Sequence, residues 1–318
     1  MKVFEMKVFG KKDFKKITDF LRKPGLDIKI KVNADCAGMT SYRAGGKCKA
    51  LIEAGSETAL SALVKYLADS NAGYFILGEG TNVLFNDGYI DLFVIKLTGD
   101  FDKIALAGNG CISAGAAASL QKLVIFAAKH SLDLSFLAGI PGTVGGAVAG
   151  NSGTTVKGIC SSIKEARYLY VSNGFYGYRN YPLKTADYGY RFCILPDMAI
   201  ITGILIAPET AEREDILKTI RKNIKNKKRS QPIGSRSPGC FFKNPSGSSI
   251  SAGEMIDDCG LKGFHFGDCV ISEKHANFII NSGNASASDV FVLSKIAAGI
   301  VKNKFNIELE SEVKLVGF

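Results

Sequence analysis

The chain has 318 residues, enough to bury a core without disulfide bonds and, as a prior, enough for two domains. It carries a net charge of +10 and is 46% hydrophobic, as an ordinary globular protein is, but its 35 glycines exceed the usual share of ~7%. The glycines follow no period, which excludes a collagen-like chain; no apolar run approaches the ~20 residues that span a bilayer, and no signal-peptide core is expected at the N-terminus.

Helices and short strands alternate irregularly through the first two thirds of the chain. Ser56 is a candidate N-cap for a helix that runs to about Ser70 and presents one apolar face, made of Leu60, Leu63, Val64 and Leu67. A second helix is predicted at Ala114–Lys129, and strands are predicted at Tyr74–Leu77, Asp91–Leu97 and Met198–Ile206. This alternation predicts a mixed α+β fold.

The composition turns polar at Pro208–Asp215, where we place a domain boundary and the start of a helix. That helix opens with acidic residues and ends in the basic run Arg221–Arg229, an order that suits the helix macrodipole. The same run is also compatible with a nucleic-acid partner. A solvated helix end, a phosphate-bearing small molecule and a nucleic acid all stay open on charge alone.

Three more elements are predicted near the C-terminus. Ser251-Ala-Gly-Glu254 is a capping box that opens a short helix, and Gly260 closes it. A helix at Ser288–Lys302 carries Val292, Ile296 and Ile300 on one side, and a strand at Ile307–Val316 ends the chain.

The eight cysteines are scattered and include no CxxC pair. This spacing excludes a zinc ribbon and a thioredoxin-type motif, and we predict no metal site. Reduced thiols in a cytoplasmic protein are the simpler interpretation, and most of them are expected to be small core residues.

Two glycine-rich segments carry the first functional signal. Gly78-Glu-Gly-Thr-Asn82 follows a strand, and Gly139-Ile-Pro-Gly-Thr-Val-Gly-Gly-Ala147 leads into Asn151-Ser-Gly153. Neither is a P-loop or a GxGxxG turn, but both offer backbone N–H groups with small side chains, which a pyrophosphate needs. Either alone could be a tight turn. Together, with hydroxyls at Thr81, Thr143 and Ser152, they favour a dinucleotide cofactor.

Two later segments combine reactive and aromatic residues. Pro238-Gly-Cys-Phe-Phe-Lys-Asn-Pro245 places a thiol beside a lysine, although a buried cysteine in an ordinary turn would look the same. Ser272-Glu-Lys-His-Ala-Asn-Phe-Ile-Ile-Asn281 sets polar groups on an apolar strand, in which His275 could equally be a core histidine. Glu310 and Glu312 share one face of the predicted last strand.

In this order, these segments resemble the UDP-N-acetylenolpyruvoylglucosamine reductase family. The resemblance covers roughly Met39 to Gly317 and rests on Glu79–Asn82, the nine-residue glycine segment, Tyr190-Arg191, Cys240–Pro245, Ala252–Ile256, Ser272–Phe278 and Leu309–Gly317. It implies an FAD-binding domain of the vanillyl-alcohol-oxidase type with two lobes, at residues 31–207 after an N-terminal segment at 1–30. An α+β substrate-binding domain follows at 208–318. The single helix between Ile206 and Arg229 resembles the shorter subtype, which lacks an inserted closing loop.

The resemblance also implies the reaction and its residues. NADPH reduces FAD, and the flavin then reduces the enolpyruvyl group of the nucleotide sugar to give UDP-N-acetylmuramate, a peptidoglycan precursor. By family position Arg191 and Glu312 stabilise the enolic intermediate, and Cys240 donates the proton. The residues implied for substrate are Tyr190, Lys243, Asn244 and His275. Those implied for FAD are Arg43, Gly78, Gly80, Thr81, Asn82, Gly139, Ile140, Gly142, Thr143, Gly145, Gly146, Asn151 and Ser152.

The chain departs from the family pattern at three points. Cys240 stands where the family usually has serine, Cys193 also replaces a serine, and Gly150-Asn-Ser152 replaces Met-Asn-Ala. A thiol, with an ordinary pKa of ~8.5, is a stronger acid than an alcohol but cannot donate once it is a thiolate. We therefore expect activity to fall as the pH rises through the pKa of this thiol.

Two other functions are weighed against this one. Another flavin oxidoreductase of the same fold would share the glycine segments but gives no reason for the Cys240 segment or Glu312. A basic nucleic-acid-binding protein predicts salt-dependent binding, yet the chain lacks tryptophan and shows no RNP, KH or helix-turn-helix pattern. We expect a small-molecule substrate, no nucleic-acid or membrane partner, and a monomer or weak oligomer.

Overall fold

The computed structural model describes residues 17, 19–20, 25–172, 175–195 and 199–318. These fall into two compact units, each assembled from separate stretches of chain. The first unit comprises Met1–Ala34, Cys48–Gly78 and Asp91–Asn223; the second comprises Asp35–Lys47, Glu79–Ile90 and Ile224–Phe318.

Helices and strands are both well represented, which confirms the mixed α+β prediction. The helices are α1 (Glu57–Asp69), α2 (Leu120–Lys129), α3 (Val144–Ala149), α4 (Arg213–Ser230), α5 (Ala252–Asp258) and α6 (Ala287–Phe305). The strands are β1 (Ile28–Asp35), β2 (Lys47–Ala54), β3 (Tyr74–Ile76), β4 (Val83–Phe85), β5 (Tyr89–Leu97), β6 (Ile104–Leu106), β7 (Ile112–Gly115), β8 (Leu132–Asp133), β9 (Ile163–Ser172), β10 (Phe175–Pro182), β11 (Tyr188–Gly189), β12 (Phe192–Cys193), β13 (Ile200–Ile206), β14 (Glu209–Thr210), β15 (His265–Phe266), β16 (Cys269–Ile271), β17 (Ile279–Asn281) and β18 (Lys314–Val316).

The first unit is built on two sheets that share a core with α1. One sheet has the order β1-β2-β5-β3, with β3 parallel to β5; the other is antiparallel with the order β10-β9-β13-β7-β6. Ser56 caps α1 by accepting a hydrogen bond from the N–H of Ala59, as predicted. The predicted apolar face of α1 is fully buried in a cluster with strand residues of both sheets, among them Ile52, Phe93, Leu169 and Ile200.

Two predictions in this unit were wrong in part. The helix predicted from Ala114 begins only at Leu120, because Ile112–Gly115 forms β7 and pairs with β13. The second glycine segment, for which a tight turn was one interpretation, continues into the short helix α3 at Val144. The strand predicted from Met198 begins at Ile200, and Met198 itself lies outside the described residues.

Helix α4 has the charge order that the sequence predicted. Glu214 and Asp215 lie in its first turn, and Lys227, Lys228 and Arg229 lie in its last turn. Acidic and basic ends of this kind stabilise the helix through its dipole.

The second unit packs α5 and α6 against the three-stranded antiparallel sheet β15-β16-β17. Ser251 and Glu254 form the predicted capping box of α5, and Gly260 follows the helix with a φ of +69°. Helix α6 buries Val290, Leu293, Ala297 and Val301. The predicted side of Val292, Ile296 and Ile300 is therefore not the one that enters the core: Val292 is exposed and the other two are only half-buried.

The predicted strand at Ile307–Val316 is shortened to β18, which pairs in parallel with β4. The residues before β18 pair with another part of the chain: Ser311 forms an isolated antiparallel bridge with Phe242. Glu310 and Glu312 thus lie beside the Cys240 segment and not in a continuous strand. Among the described residues, no helix combines the length and apolar character needed to cross a membrane.

Candidate active site

In the first unit, the two glycine-rich segments meet at Gly78 and Thr143. A side chain at position 78 would bring its Cβ to 2.5 Å from the Thr143 Oγ1 atom, so only glycine fits there. Thr143 is itself the N-cap of α3 and accepts a hydrogen bond from the N–H of Gly146 at 3.2 Å. The two segments are therefore in contact within the first unit, and their joint role toward a cofactor stays a prediction.

The segment before α3 is held by a residue that sequence reasoning missed. The Gln121 amide donates to the carbonyls of Leu137 and Ile140, and it accepts from the N–H of Gly139 at 2.9 Å. Gly142 has a φ of +113°, a conformation that favours glycine. Nothing in the local sequence marks Gln121, because its three partners lie 16 to 19 residues away.

Asn151 connects the glycine segment to the Tyr190-Arg191 turn. Its side-chain oxygen accepts from the N–H of Cys160 at 3.0 Å, and its amide donates to the carbonyl of Gly189 at 2.8 Å. Both ends of this buried side chain are therefore bonded to protein backbone. Its predicted role toward FAD stays a prediction, as does that of Ser152, which is half-buried beside it.

Arg191 occupies the turn between β11 and β12 and has a φ of +61°. This left-handed conformation is uncommon for a residue with a side chain and costs ~1–3 kcal/mol where it occurs. The guanidinium lies 5.3 Å from the centre of the Tyr190 ring, a cation–π distance. The strained turn thus presents a half-buried arginine and an exposed tyrosine next to each other.

The Cys160 thiol donates to the carbonyl of Val148 at 3.6 Å, and the Cys193 thiol lies near it, close to this turn. The neighbouring Cys160 thiol lowers the pKa of the Cys193 thiol, against an opposing effect of burial. The Cys193 thiol raises the pKa of the Cys160 thiol, to which burial adds. Five of the eight cysteines are buried core residues, as predicted for most.

We expect Cys193 to be alkylated faster than Cys259, because the thiolate is the nucleophile and burial raises the pKa of Cys259. Both side chains are half-buried, so access is comparable. Peptide mapping after brief iodoacetamide treatment at neutral pH measures the two rates. Cys160→Ala should slow the labelling of Cys193, because it removes the neighbour that lowers the pKa of the Cys193 thiol; equal rates in both proteins would contradict that effect of Cys160.

In the second unit, the remaining part of the first glycine segment packs on the Arg43 segment. Gly80 has a φ of +67°, and an added Cβ would lie 2.0 Å from the carbonyl oxygen of Met39. The carbonyl of Gly80 accepts from the N–H of Ser41 at 3.0 Å, and Arg43 follows with a φ of +53°. Thr81 and Asn82 are half-buried beside them.

The Cys240 segment lies against the Glu312 segment in the second unit. Glu312 donates its N–H to the carbonyl of Phe241 at 2.8 Å, and Lys243 donates its N–H to the carbonyl of Glu310 at 2.8 Å. The Asn82 amide donates to the carbonyl of Glu312 at 3.0 Å. The backbone of Glu312 is therefore fixed from two sides. Cys240 is half-buried at the start of the paired segment.

The two polar residues after the aromatic pair also have protein partners. The Lys243 ammonium forms an ion pair with the Glu310 carboxylate at 2.5 Å; because Glu310 is largely exposed, such a pair contributes ~0–1 kcal/mol. The Asn244 side chain accepts from the N–H of Ala252, the first residue of α5.

His275 has the contacts of a core histidine. Its Nδ1 atom accepts from the N–H of Asn277 at 3.3 Å, and its ring lies 4.9 Å from that of Phe278. Burial lowers the pKa of the imidazole, so the ring is neutral at pH 7. Its predicted contact with substrate stays a prediction.

The exposure of the backbone in the two glycine segments shows whether they could accommodate a phosphate group of FAD. Gly78, Gly139 and Gly145 are half-buried and Gly146 is exposed, so backbone without side chains reaches the surface. A Cβ at position 145 would lie 2.9 Å from that of Ala116, which again requires glycine. A side-chain-free backbone beside the Thr143 hydroxyl suits an anionic dinucleotide.

Comparison with known proteins gives two family matches. Residues 48–174 match the FAD binding domain, and residues 231–316 match the C-terminal domain of UDP-N-acetylenolpyruvoylglucosamine reductase. The first range contains both glycine segments, and the second contains Cys240 and Glu312; Arg43 and Arg191 lie outside both.

Whole-chain relatives agree with these matches. The chain is 35% identical to UDP-N-acetylenolpyruvoylglucosamine reductase of Syntrophobacter fumaroxidans, over 91% of this chain and 84% of that protein. It is 34% identical to the enzyme of the same name from Caldanaerobacter subterraneus subsp. tengcongensis, over 95% and 98%. The crystal structure of the reductase from Thermus caldophilus superposes with a TM-score of 0.77 at 32% identity, covering 92% of this chain and 99% of that one.

The fold and the glycine segments define an FAD-dependent oxidoreductase with an FAD-binding domain of the vanillyl-alcohol-oxidase type and an α+β substrate domain. Its substrate is a nucleotide sugar. The chain belongs to the UDP-N-acetylenolpyruvoylglucosamine reductase family and catalyses that reduction in peptidoglycan precursor synthesis.

Proposed function

We propose that the chain uses NADPH as its reductant and Cys240 as the proton donor that completes the reduction. NADPH and the enolpyruvyl nucleotide sugar would be converted to NADP⁺ and UDP-N-acetylmuramate. Bound FAD would supply the hydride chemistry, accepting a hydride from the nicotinamide and passing one to the enol ether. The net charge of +10 suits the 2′-phosphate of NADPH, and a comparison of turnover with NADPH and with NADH tests this choice of reductant.

The residues proposed to hold FAD are those that the family resemblance implied. A side-chain-free backbone leaves room for the pyrophosphate, and the Thr143 hydroxyl is placed to donate a hydrogen bond. They are Arg43, Gly78, Gly80, Thr81, Asn82, Gly139, Ile140, Gly142, Thr143, Gly145, Gly146, Asn151 and Ser152.

Three residues are proposed to act on the substrate. Hydride addition to the terminal carbon of the enolpyruvyl group leaves negative charge at the carbon that bears the carboxylate. Arg191 would stabilise that charge through its guanidinium, and Glu312 would polarise or protonate the enolic oxygen. Cys240 would then transfer its thiol proton to the carbon, which gives the lactyl ether.

The observation that carries this proposal is the 2.8 Å hydrogen bond from the Glu312 N–H to the Phe241 carbonyl. This bond links the backbone of Phe241, the residue after Cys240, to the backbone of Glu312. The two proposed catalytic residues are therefore held on one pair of hydrogen-bonded segments of the second unit, which we call the ribbon. Lys243 and Asn244 continue that ribbon and are proposed to orient the substrate, together with Tyr190 and His275.

The remaining proposals concern the protein as a whole. We propose the domain limits 31–207 and 208–318, and a monomer or weak oligomer without nucleic-acid or membrane partners. Because NADPH and nucleotide-activated sugars are cytoplasmic metabolites, we place the reaction in the cytoplasm.

Replacing Cys240 by serine tests the proton donor through the pH profile. We expect the wild-type rate of substrate reduction to fall above pH ~8.5, where an ordinary thiol ionises and can no longer donate. The Cys240→Ser enzyme should keep its rate there, because an alcohol does not ionise in that range. Steady-state rates from pH 6 to 10 measure both. Identical rates and pH profiles would show that the thiol has no special role.

A further inference from the structure

Asn277 holds the Cys240 segment by three hydrogen bonds. Its backbone carbonyl accepts from the N–H of Phe241 at 2.7 Å. Its side-chain oxygen accepts from the N–H of Phe242 at 2.9 Å, and its side-chain amide donates to the carbonyl of Phe242 at 2.8 Å. Asn277 is 2% exposed and Phe242 is 4% exposed, so water does not compete for these bonds.

The same segment is bonded to the Glu312 segment on its other side. Phe242 bridges Ser311, while the flanking carbonyl of Phe241 and N–H of Lys243 point to Glu312 and Glu310. In an antiparallel pair, successive residues point their N–H and C=O groups to opposite sides. The groups of Phe242 therefore point away from Glu312, and the Asn277 amide supplies the partners that a third strand would otherwise supply.

Asparagine suits this position because its side chain carries an acceptor and a donor side by side. An aspartate of the same size could accept from the Phe242 N–H but, when ionised, would face the Phe242 carbonyl with a second acceptor. A buried unmatched polar group of this kind costs ~1–3 kcal/mol and shifts the chain that carries it.

We propose that Asn277 is a positioning residue for protonation of the substrate: it sets the place of Cys240 relative to Glu312 without touching the substrate. This inference rests on the roles proposed above for Cys240 and Glu312. A displacement of ~1 Å in a catalytic group can cost ~100-fold in rate, so a distortion of this ribbon should slow the chemistry that uses it.

The step to measure is the reaction of reduced enzyme with substrate. Holoenzyme is reduced with dithionite and mixed anaerobically with UDP-N-acetylenolpyruvoylglucosamine; the return of flavin absorbance is followed by stopped flow, and the formation of UDP-N-acetylmuramate is followed by rapid quench. We expect Asn277→Asp to slow this step on the order of 10- to 100-fold at pH 8. Reduction of the oxidised enzyme by NADPH should stay within about 2-fold, because the side chain of Asn277 bonds to Phe242, which is not among the residues proposed to hold FAD.

The pH profile separates positioning from general damage. A protonated carboxyl carries one acceptor and one donor, as the amide does. Burial and the facing carbonyl raise the pKa of such a carboxyl, so it protonates as the pH falls. We expect the rate of Asn277→Asp relative to wild type to recover at pH 6. The groups that face this position are the Phe241 and Phe242 backbone and the His275 ring, whose pKa burial lowers; rates are therefore compared with wild type at each pH.

Asn281→Asp is the matched control. Asn281 is 3% exposed, lies in the same unit, donates to the carbonyl of Tyr42 and accepts from the N–H groups of Gly283 and Ala285. Its N–H donates to the carbonyl of Arg236, four residues before Cys240, whereas its side-chain hydrogen bonds go to Tyr42, Gly283 and Ala285 and not to the Cys240 segment. Urea unfolding should show a comparable loss of stability for both variants, with the reoxidation rate reduced only in Asn277→Asp. Asn277→Ser, which is uncharged and too short to reach both groups, should slow the same step without recovery at low pH.

Two results would overturn the inference: reoxidation at the wild-type rate in a destabilised Asn277 variant, or equal slowing by the Asn281 control. Should Asn277→Asp not fold, the same comparisons are made with Asn277→Ser. Cys240→Ala is measured in parallel, because unchanged formation of UDP-N-acetylmuramate in rapid-quench samples would reject the proton-donor role itself. A slow Cys240→Ala beside normal Asn277 variants would reject the positioning role alone.

Discussion

Glu312→Gln should reduce the rate at which substrate reoxidises the reduced enzyme by on the order of 10²- to 10⁴-fold. The glutamine side chain has the same size but can neither carry nor give up the acidic proton. The backbone of residue 312 is fixed by the Phe241 carbonyl and the Asn82 amide, neither of which involves the carboxylate. Urea unfolding measured beside the rate separates a chemical loss from a structural one. Anaerobic stopped-flow reoxidation measures the rate.

Glu308→Gln provides the control for that experiment. Glu308 lies four residues earlier, is exposed, and forms a surface ion pair with Lys302. Such pairs contribute ~0–1 kcal/mol, so stability should change little and both half-reactions should keep their rates. Reoxidation of Glu312→Gln at the wild-type rate would remove Glu312 from the proposed chemistry.

Gly80→Ala should destabilise the second unit by ~2–5 kcal/mol and strongly weaken FAD binding. Alanine loses stability for two reasons: the backbone at φ +67° is left-handed, and the added Cβ would lie 2.0 Å from the Met39 carbonyl oxygen. The backbone of Gly80 and that of Met39 can move apart only if the segment that carries Thr40 and Arg43 also moves. Urea unfolding of the holoenzyme and FAD titration of the apoprotein measure the two effects.

Gly247→Ala separates the two causes. Gly247 lies in the same unit with a φ of +74°, but no atom lies within 4 Å of the added Cβ. This variant should lose only the ~1–2 kcal/mol of the backbone conformation and should bind FAD normally. Equal losses in the two variants would show that the contact of Gly80 with Met39 is unimportant.

The parts of the fold that the sequence predicted well depend on local signals. The Ser56 cap, the Ser251 capping box and the acidic start of α4 each involve side chains within one turn of the backbone that they bond or stabilise. The glycine segments were also found locally, because their backbone conformations limit the residue type.

The errors arose where distant chain decides the structure. Residues 112–115 form a strand because they pair with β13. Within the last predicted strand, the final residues pair with β4, whereas Ser311 pairs with Phe242. Gln121 and Asn277 were missed for a related reason. Their side chains form hydrogen bonds with backbone groups that lie 16 to 35 residues away in the sequence. No periodicity or turn motif marks such residues.

The most direct test of the central claim is the visible spectrum of the purified protein under anaerobic conditions. We predict a flavin absorbance that bleaches on addition of NADPH. It should return on addition of UDP-N-acetylenolpyruvoylglucosamine, with one equivalent of UDP-N-acetylmuramate formed for each flavin reoxidised. A protein that stays bleached after the substrate is added, or that gains no flavin absorbance when supplied with FAD, would contradict the assignment.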